Sequence, residues 1–350
     1  MNAPLSTKTL NTSTPSLKPA DFASDQQVRW CPGCGDYAIL KAVQRTLAEL
    51  RLARENIVFV SGIGCSSRLP YYLSTYGFHT IHGRAPAVAT GVKLANPELD
   101  VWVITGDGDG LSIGGNQLLH ALRRNVNLQI LLFNNEIYGL TKGQYSPTSR
   151  PGTTSPSTPY GSIDNPVSAT QFALGAGARF VARAIDTDQK QLPSLLQRAH
   201  AHQGASFVEI FQNCIVYNDA VFADFADKTA ATNHKIVLEH GKPLRFGTHQ
   251  HKGLRLKPDS LALEVVNMDD AAINENELLI HDETNRAQAN LLAAMEPPQF
   301  PMALGVLYCN PAPNLDALFH QQLAEAQAKA PTANELNAFL RKGNTWKIGF

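Results

Sequence analysis

The sequence carries no net charge: lysine plus arginine and aspartate plus glutamate each number 30 in 350 residues. A chain so balanced creates no broad field for nucleic acid or an anionic membrane, and neither is expected as a partner. No apolar run approaches the roughly 20 residues that a membrane span needs. Residues 1–22 are rich in Ser, Thr and Pro, and no apolar core of a secretion signal stands among them. They read as a disordered tail, and the cytoplasm is the expected compartment. Cysteines number only five, an odd count that is not spaced like a secreted disulfide scaffold. Nucleotide fingerprints are missing as well. Gly106-x-Gly108 meets Leu111, and Gly108-x-Gly110 meets Ile113, where a third glycine belongs. No Gly-Lys-Ser/Thr triplet occurs, no internal repeat is evident, and His249-x-His251 has no metal-binding company.

What is present is a strand–loop–helix–strand unit. Val101-Trp102-Val103-Ile104 reads as a buried strand leading into Thr105-Gly106-Asp107-Gly108-Asp109-Gly110. An amphipathic run from Ser112 to Arg124 follows, then the apolar stretch Leu128–Phe133 and the pair Asn134-Asn135. Parallel strands joined by a helix would bring both loops to the carboxyl edge of one sheet. Asp107 and Asn135 would then face one crevice. A carboxylate, an amide oxygen and a backbone carbonyl suit a hard divalent cation such as magnesium, completed by water and phosphate.

The cysteines add a second chemistry. Cys31-Pro32-Gly33-Cys34-Gly35 is a tight turn in front of a helix predicted over residues 36–52. Cys65 follows the apolar strand Ile57–Val60, and Cys214 follows Phe207–Phe211. Two thiols therefore leave strands as Asp107 and Asn135 do. Four convergent thiolates suit tetrahedral zinc or a four-iron, four-sulfur cluster, and spacing does not choose between them. Cys309 lies elsewhere and reads as a buried free thiol.

Gly-Asp-Gly followed by Asn-Asn resembles the thiamine diphosphate signature, in which the aspartate, the second asparagine and a main-chain carbonyl hold magnesium. Carried over, these are Asp107, Asn135 and Ile137; the spacing favours Asp107 over Asp109. Trp30-Cys-Pro-Gly-Cys-Gly, Gly-Ile-Gly-Cys-Ser, Ile81-His82-Gly83-Arg84 and Tyr138-Gly139-Leu140-Thr141-Lys142-Gly143-Gln144 stand around it in order. Together they resemble the beta subunit of 2-oxoacid:ferredoxin oxidoreductases, particularly the 2-oxoglutarate type, with specific motifs over residues 25–220. The resemblance implies an α/β fold, a doubly wound parallel sheet of the thiamine diphosphate-binding type with a C-terminal extension. It implies a cluster on Cys31, Cys34, Cys65 and Cys214. It implies that Ile63, Gly64, Cys65, Ser66, His82, Gly108, Asp109, Gly139 and Leu140 line the thiamine diphosphate.

The implied reaction is coenzyme A-dependent oxidative decarboxylation of a 2-oxo acid, with electrons passed singly to ferredoxin. Lys142 and Arg68 are candidate anchors for a substrate carboxylate, and His82 is a candidate acid–base or diphosphate-binding group. Lys142 favours 2-oxoglutarate over pyruvate or an arylpyruvate, because a second carboxylate needs its own cation. Thiamine enzymes also use a glutamate from a pyrimidine-binding domain; one cofactor-type sheet here implies that an alpha subunit supplies it, in a heterodimer or larger assembly. The competing readings are a non-redox thiamine decarboxylase with structural zinc, and a zinc-bound interaction subunit.

Three regions are expected: a tail over 1–22, a cofactor domain over 23–220, and an extension over 221–350 that contacts a partner. Residues 145–164 lack any apolar period and read as an active-site cover.

Overall fold

The computed structural model describes residues 17–227, 231–329, 336–343, 345–346 and 348–349. In chain order its strands are β1 (Ile57–Ser61), β2 (Tyr76–His79), β3 (Asp100–Gly106), β4 (Gln129–Asn134), β5 (Ile137–Tyr138), β6 (Gln144–Tyr145) and β7 (Phe180–Ile185). They continue with β8 (Ser206–Phe211), β9 (Lys235–Val237), β10 (Arg245–Phe246), β11 (Lys252–Leu256), β12 (Leu263–Asn267) and β13 (Met302–Cys309). Eight form one sheet in the order β2-β1-β3-β4-β8-β7-β13-β9. From β2 to β7 every pairing is parallel. β1, β4, β7 and β8 are buried along their whole length, which is why β1 and β4 read as near-continuous apolar runs rather than alternating ones, while β7 and β8 each carry one charged residue, Arg183 and Glu209, paired with each other.

Helices cover both faces. They are α1 (Asp36–Leu50), α2 (Ala85–Ala95), α3 (Asp107–Leu111), α4 (Gly115–Arg123), α5 (Ala169–Gly175) and α6 (Gln191–Ala201). In α1, Ile39, Val43 and Leu47 recur every fourth residue and bury one stripe, and Arg51 in the left-handed region ends the helix. That stripe joins Leu192, Leu195 and Leu196 of α6 against Phe59, Ile104, Leu131 and Ile210 of the sheet. The alternate strand residues Val60, Val103, Leu132 and Phe207 face the other way, toward Ala89, Leu118 and Ala173 of α2, α4 and α5. Each such fully buried aliphatic side chain contributes about 1.5–3 kcal/mol relative to exposure.

The expected boundaries need correction. Residues 1–16 of the expected tail lie outside the described residues, but Pro19–Phe22 form a 3₁₀ turn and Phe22 is fully buried among α1 side chains. Burial of the Phe22 ring against that apolar stripe offsets part of the entropy lost in ordering its turn. Nor does the fold stop at residue 220. β13 pairs antiparallel with β7, and β9 pairs with β13, so the segment past 220 completes the main sheet. Leu254 and Leu263, from the small antiparallel sheet β10-β11-β12, share one core with Val60, Val103 and Leu132 of the main sheet. Arg255, paired with Glu264 and Glu277, ties the basic strand to the acidic stretch that follows. A further helix spans Leu315–Lys329. Among the described residues no helix is long and apolar enough to cross a membrane.

Candidate active site

Strands β1, β3, β4 and β8 are adjacent and parallel, so their carboxyl ends open on one edge. A cavity of about 430 Å³ lies there. Ile63, Gly64, Cys65 and Ser66 reach it from β1, and Asp107, Gly108 and Asp109 from β3. Asn135, Ile137, Gly139 and Leu140 come from β4, and His82 from the turn before α2. Every residue expected to line the cofactor is thus on its wall.

The two aspartates of the loop are used differently. Asp109 Oδ1 accepts the backbone amides of Gly83 at 2.7 Å and Ile63 at 3.2 Å, while its Oδ2 accepts the Thr105 hydroxyl at 2.7 Å. It staples three loops together. Asp107 is 2 % exposed, and both hydroxyls that reach it, from Ser146 at 2.5 Å and Thr148 at 2.6 Å, converge on Oδ2. Burial pushes Asp107 up to about 6, and the two hydroxyls oppose that rise. A buried carboxylate without a cation beside it is the donor a divalent ion would restore to full charge.

Asn135 donates its side-chain amide to Gln212 Oε1 at 2.8 Å, and its Oδ1 accepts the Ile137 amide at 3.2 Å. Residues past β4 alternate between two spaces. Asn135 and Ile137 face the main cavity; Asn134 and Glu136 face a second cavity of about 290 Å³. There Glu136 pairs with Arg150 at 3.0 Å, yet burial raises it to about 7. Arg183 and Glu209 form a buried pair at 2.8 Å, with Asn134 donating to the same Glu209.

The Cys31-Pro-Gly-Cys34 turn closes with the Cys34 amide on the Cys31 carbonyl, and the next residue, Gly35, bonds to Asn213 O. This brings the turn against the segment that carries Cys214. A Cβ on Gly139 would stand 3.5 Å from the Cys214 sulfur and 3.7 Å from the Cys65 sulfur, so the two thiols flank one glycine of the cavity wall. Burial pushes the Cys65 thiol up to about 12, with Asp36, Cys214 and Cys31 adding to the rise; Cys34 is pushed higher still, by burial and then by Asp36. Asp36 itself, buried at the start of α1, is raised by burial to about 7. Two buried thiols that resist ionisation are donors that a positively charged metal centre would deprotonate. Among the described residues no three His, Cys, Asp or Glu side chains stand in a single-ion geometry. Cys309 is apart from this group, partly buried at the end of β13.

The three candidate catalytic groups sit at different depths. His82 is exposed on the cavity wall. Lys142 is exposed on the β5–β6 hairpin between the wall residues Thr141 and Gln144 and does not itself line the cavity. Its φ of 78° is a strained value for a lysine, held by its amide on Gly139 O. Arg68 is not on the wall: it donates to the Tyr72 hydroxyl at 3.0 Å and lies beside Cys65.

Sequence reading missed four groups. Tyr138 packs where a Gly108 Cβ would be, 2.2 Å from its ring, and donates to Gly108 O at 3.0 Å. Gln212 lies on the wall beside Asn135, whose side-chain amide it accepts. Ser146 and Thr148 belong to the segment expected to cover the site; they run beneath the Asp107 loop, and the rest of that segment includes the fully exposed Tyr160 and Ile163. Three hydroxyl residues in Ser146-Pro-Thr148-Ser149, directly after a strand, were the available signal.

Residues 62–210 match a family model described as thiamine pyrophosphate enzyme, C-terminal TPP binding domain. The chain is 49% identical over 335 residues to the 2-oxoglutarate oxidoreductase subunit KorB of Mycobacterium tuberculosis, covering 95% of this chain and 88% of that protein. It is 34% identical over 262 residues to the 2-oxoglutarate synthase subunit KorB of Methanothermobacter thermautotrophicus, covering 75% and 84%. Among solved structures it is similar to a chain of 2-oxoglutarate:ferredoxin oxidoreductase from Magnetococcus marinus with 2-oxoglutarate, coenzyme A and succinyl-CoA bound. That match has a TM-score of 0.75 and 34% identity, covering 95% of this chain and 98% of that chain.

Proposed function

The chain belongs to the beta subunits of the 2-oxoglutarate:ferredoxin oxidoreductases, and from that premise we propose how its own residues divide the work. The observation that carries the reading is the sharing of one cavity wall. Asp107 and Asn135 lie along it, and Gly139, a few residues on, is flanked by the Cys65 and Cys214 sulfurs. The diphosphate end of a cofactor and an electron-accepting centre would then meet across a single loop.

Asp107, Asn135 and the Ile137 carbonyl would hold magnesium against the diphosphate of thiamine diphosphate, and Cys31, Cys34, Cys65 and Cys214 would hold a four-iron, four-sulfur cluster. When bound, the first cofactor supplies the electron sink for decarboxylating a 2-oxo acid, and the cluster supplies one-electron transfer toward ferredoxin. Asp109 keeps the β1 and β3 loops in register so that Gly64, Ser66 and Gly108 line the cofactor's path. His82 is placed to hydrogen-bond the diphosphate or move a proton at the cavity wall. Lys142 offers its ammonium from the hairpin to the far carboxylate of 2-oxoglutarate, and coenzyme A takes up the acyl group. Arg68, held on Tyr72, acts on the cluster side instead.

A partner chain is required by the chemistry of the wall. Its carboxylates among the described residues are Asp107 and Asp109, both already engaged by hydroxyl or amide donors. The carboxylate that activates the aminopyrimidine would come from the alpha subunit.

The test is to purify both subunits together without oxygen, then measure iron, sulfide and zinc and assay coenzyme A-dependent ferredoxin reduction. Iron and sulfide with turnover of 2-oxoglutarate is the expected result. Zinc without a visible chromophore, or turnover of pyruvate alone, would overturn the assignment.

A further inference from the structure

Gln212 is the first residue past β8, is 1 % exposed, and lies outside every motif read from the sequence. Its Nε2 donates to Asn213 O at 2.6 Å and to the Cys34 sulfur at 3.2 Å. Its Oε1 accepts from Asn135 Nδ2 at 2.8 Å. A primary amide has two N–H donors and one carbonyl, so all three functions of Gln212 are committed.

The polarity of this chain of bonds is not free. Asn213 O can only accept, which makes the end of Gln212 facing it the nitrogen. The oxygen therefore faces Asn135, and Asn135 must turn its own nitrogen toward Gln212. Its Oδ1 is left on the opposite side, with Ile137.

We propose that Gln212 is a positioning residue shared by two centres. It orients Asn135 so that Oδ1 is the atom offered to the metal. It also donates an N–H to the Cys34 sulfur, which favours the more negative, reduced state of the cluster. The proposal rests on the reading of Asn135 as a magnesium ligand and Cys34 as a cluster ligand.

Two variants in the intact two-subunit complex separate its halves. Gln212→Met keeps the length and removes every hydrogen bond; Gln212→Glu keeps an acceptor for Asn135 and removes the amide donor to Cys34. Mn²⁺ is titrated in the presence of thiamine diphosphate by electron paramagnetic resonance, and the cluster is titrated potentiometrically. For Gln212→Met the Mn²⁺ affinity falls by about tenfold or more. Its reduced-to-oxidised ratio at fixed potential falls about tenfold, which is about 59 mV for one electron. Gln212→Glu lowers the potential at least as far and leaves Mn²⁺ affinity near that of the parent. An unchanged potential in both variants overturns the proposal, as does equal loss of Mn²⁺ affinity in both. A collapsed thermal midpoint accompanying both losses overturns it in favour of a structural role. Asp107→Asn in the same Mn²⁺ titration tests the underlying reading separately: undiminished binding there would mean that the metal lies elsewhere.

Discussion

Thr148 donates its hydroxyl to Asp107 Oδ2 at 2.6 Å, across a gap of 41 residues, and thereby fastens the segment after β6 to the loop after β3. The contact is buried, and Ser146 doubles it from the same turn. Replacing Thr148 with Val should weaken metal-dependent thiamine diphosphate binding by about 10–100-fold, the usual effect of losing a partner of a metal ligand. Thr148→Ser should restore most of it. A Val variant that titrates with magnesium like the parent would show that Asp107 needs no such support.

Asp107 also sets a pH dependence. Its carboxyl titrates near 6 when no metal is bound, because burial disfavours the charge. Metal binding requires the ionised form, so magnesium affinity should be full well above that value and fall as pH drops through about 6. Asp107→Ala should abolish magnesium-dependent cofactor binding at every pH. Isothermal titration from pH 5 to 8 reads both results; a flat profile in the parent would remove Asp107 from the metal.

Gly139 should be replaceable only in the absence of the cluster. An Ala Cβ there meets the two sulfurs at ordinary contact distances, 3.5 and 3.7 Å. The folded chain should therefore keep its thermal midpoint. A cluster bonded to those sulfurs would share the space with the new methyl group, so iron content should drop. Full iron loading of Gly139→Ala would argue that the cluster lies away from this loop.

Lys142 offers a single charge on the hairpin. Lys142→Ala should raise the KM for 2-oxoglutarate by about 10–100-fold, the worth of one charged hydrogen bond of about 1.5–3 kcal/mol. Activity toward a monocarboxylic 2-oxo acid should change far less. Equal losses on both substrates would point to a role for Lys142 in shaping the hairpin.

His202 provides a stability test away from the site. It is buried against Phe180, neither ring nitrogen has a hydrogen-bond partner, and burial lowers it to about 4. Folding holds it neutral, whereas the unfolded chain protonates it near pH 6.5. Its contribution is thus intact above about 6.5 and is lost toward 4, by at most about 1.4 kcal/mol per pH unit. His202→Phe should flatten the fall in melting temperature between pH 7 and 5. An unchanged slope would mean that His202 titrates normally.

The apolar runs that became β1, β3, β4 and β8 were legible because a parallel strand buried on both faces is rich in Val, Ile, Leu and Phe. Gly-Asp-Gly and Asn-Asn were legible as one cavity wall because parallel strands bring the loops at their carboxyl ends together. What lies past 220 was less so. The eight residues of β13 fell within the expected extension, and only the sheet reveals that they pair with β7.

By itself, then, the sequence determined the strands, the turn glycines and the types of donor, because these follow from local backbone geometry and side-chain chemistry. Tertiary structure alone decided which donors face each other. Asp109 became a staple and Asp107 a ligand candidate through hydroxyls 39 and 41 residues away. Gln212 came to lie between Asn135 and Cys34 because β4 and β8 are neighbours. Hydrogen bonds between strand ends depend on sheet order, and sheet order is set by how helices pack on both faces rather than by any one segment.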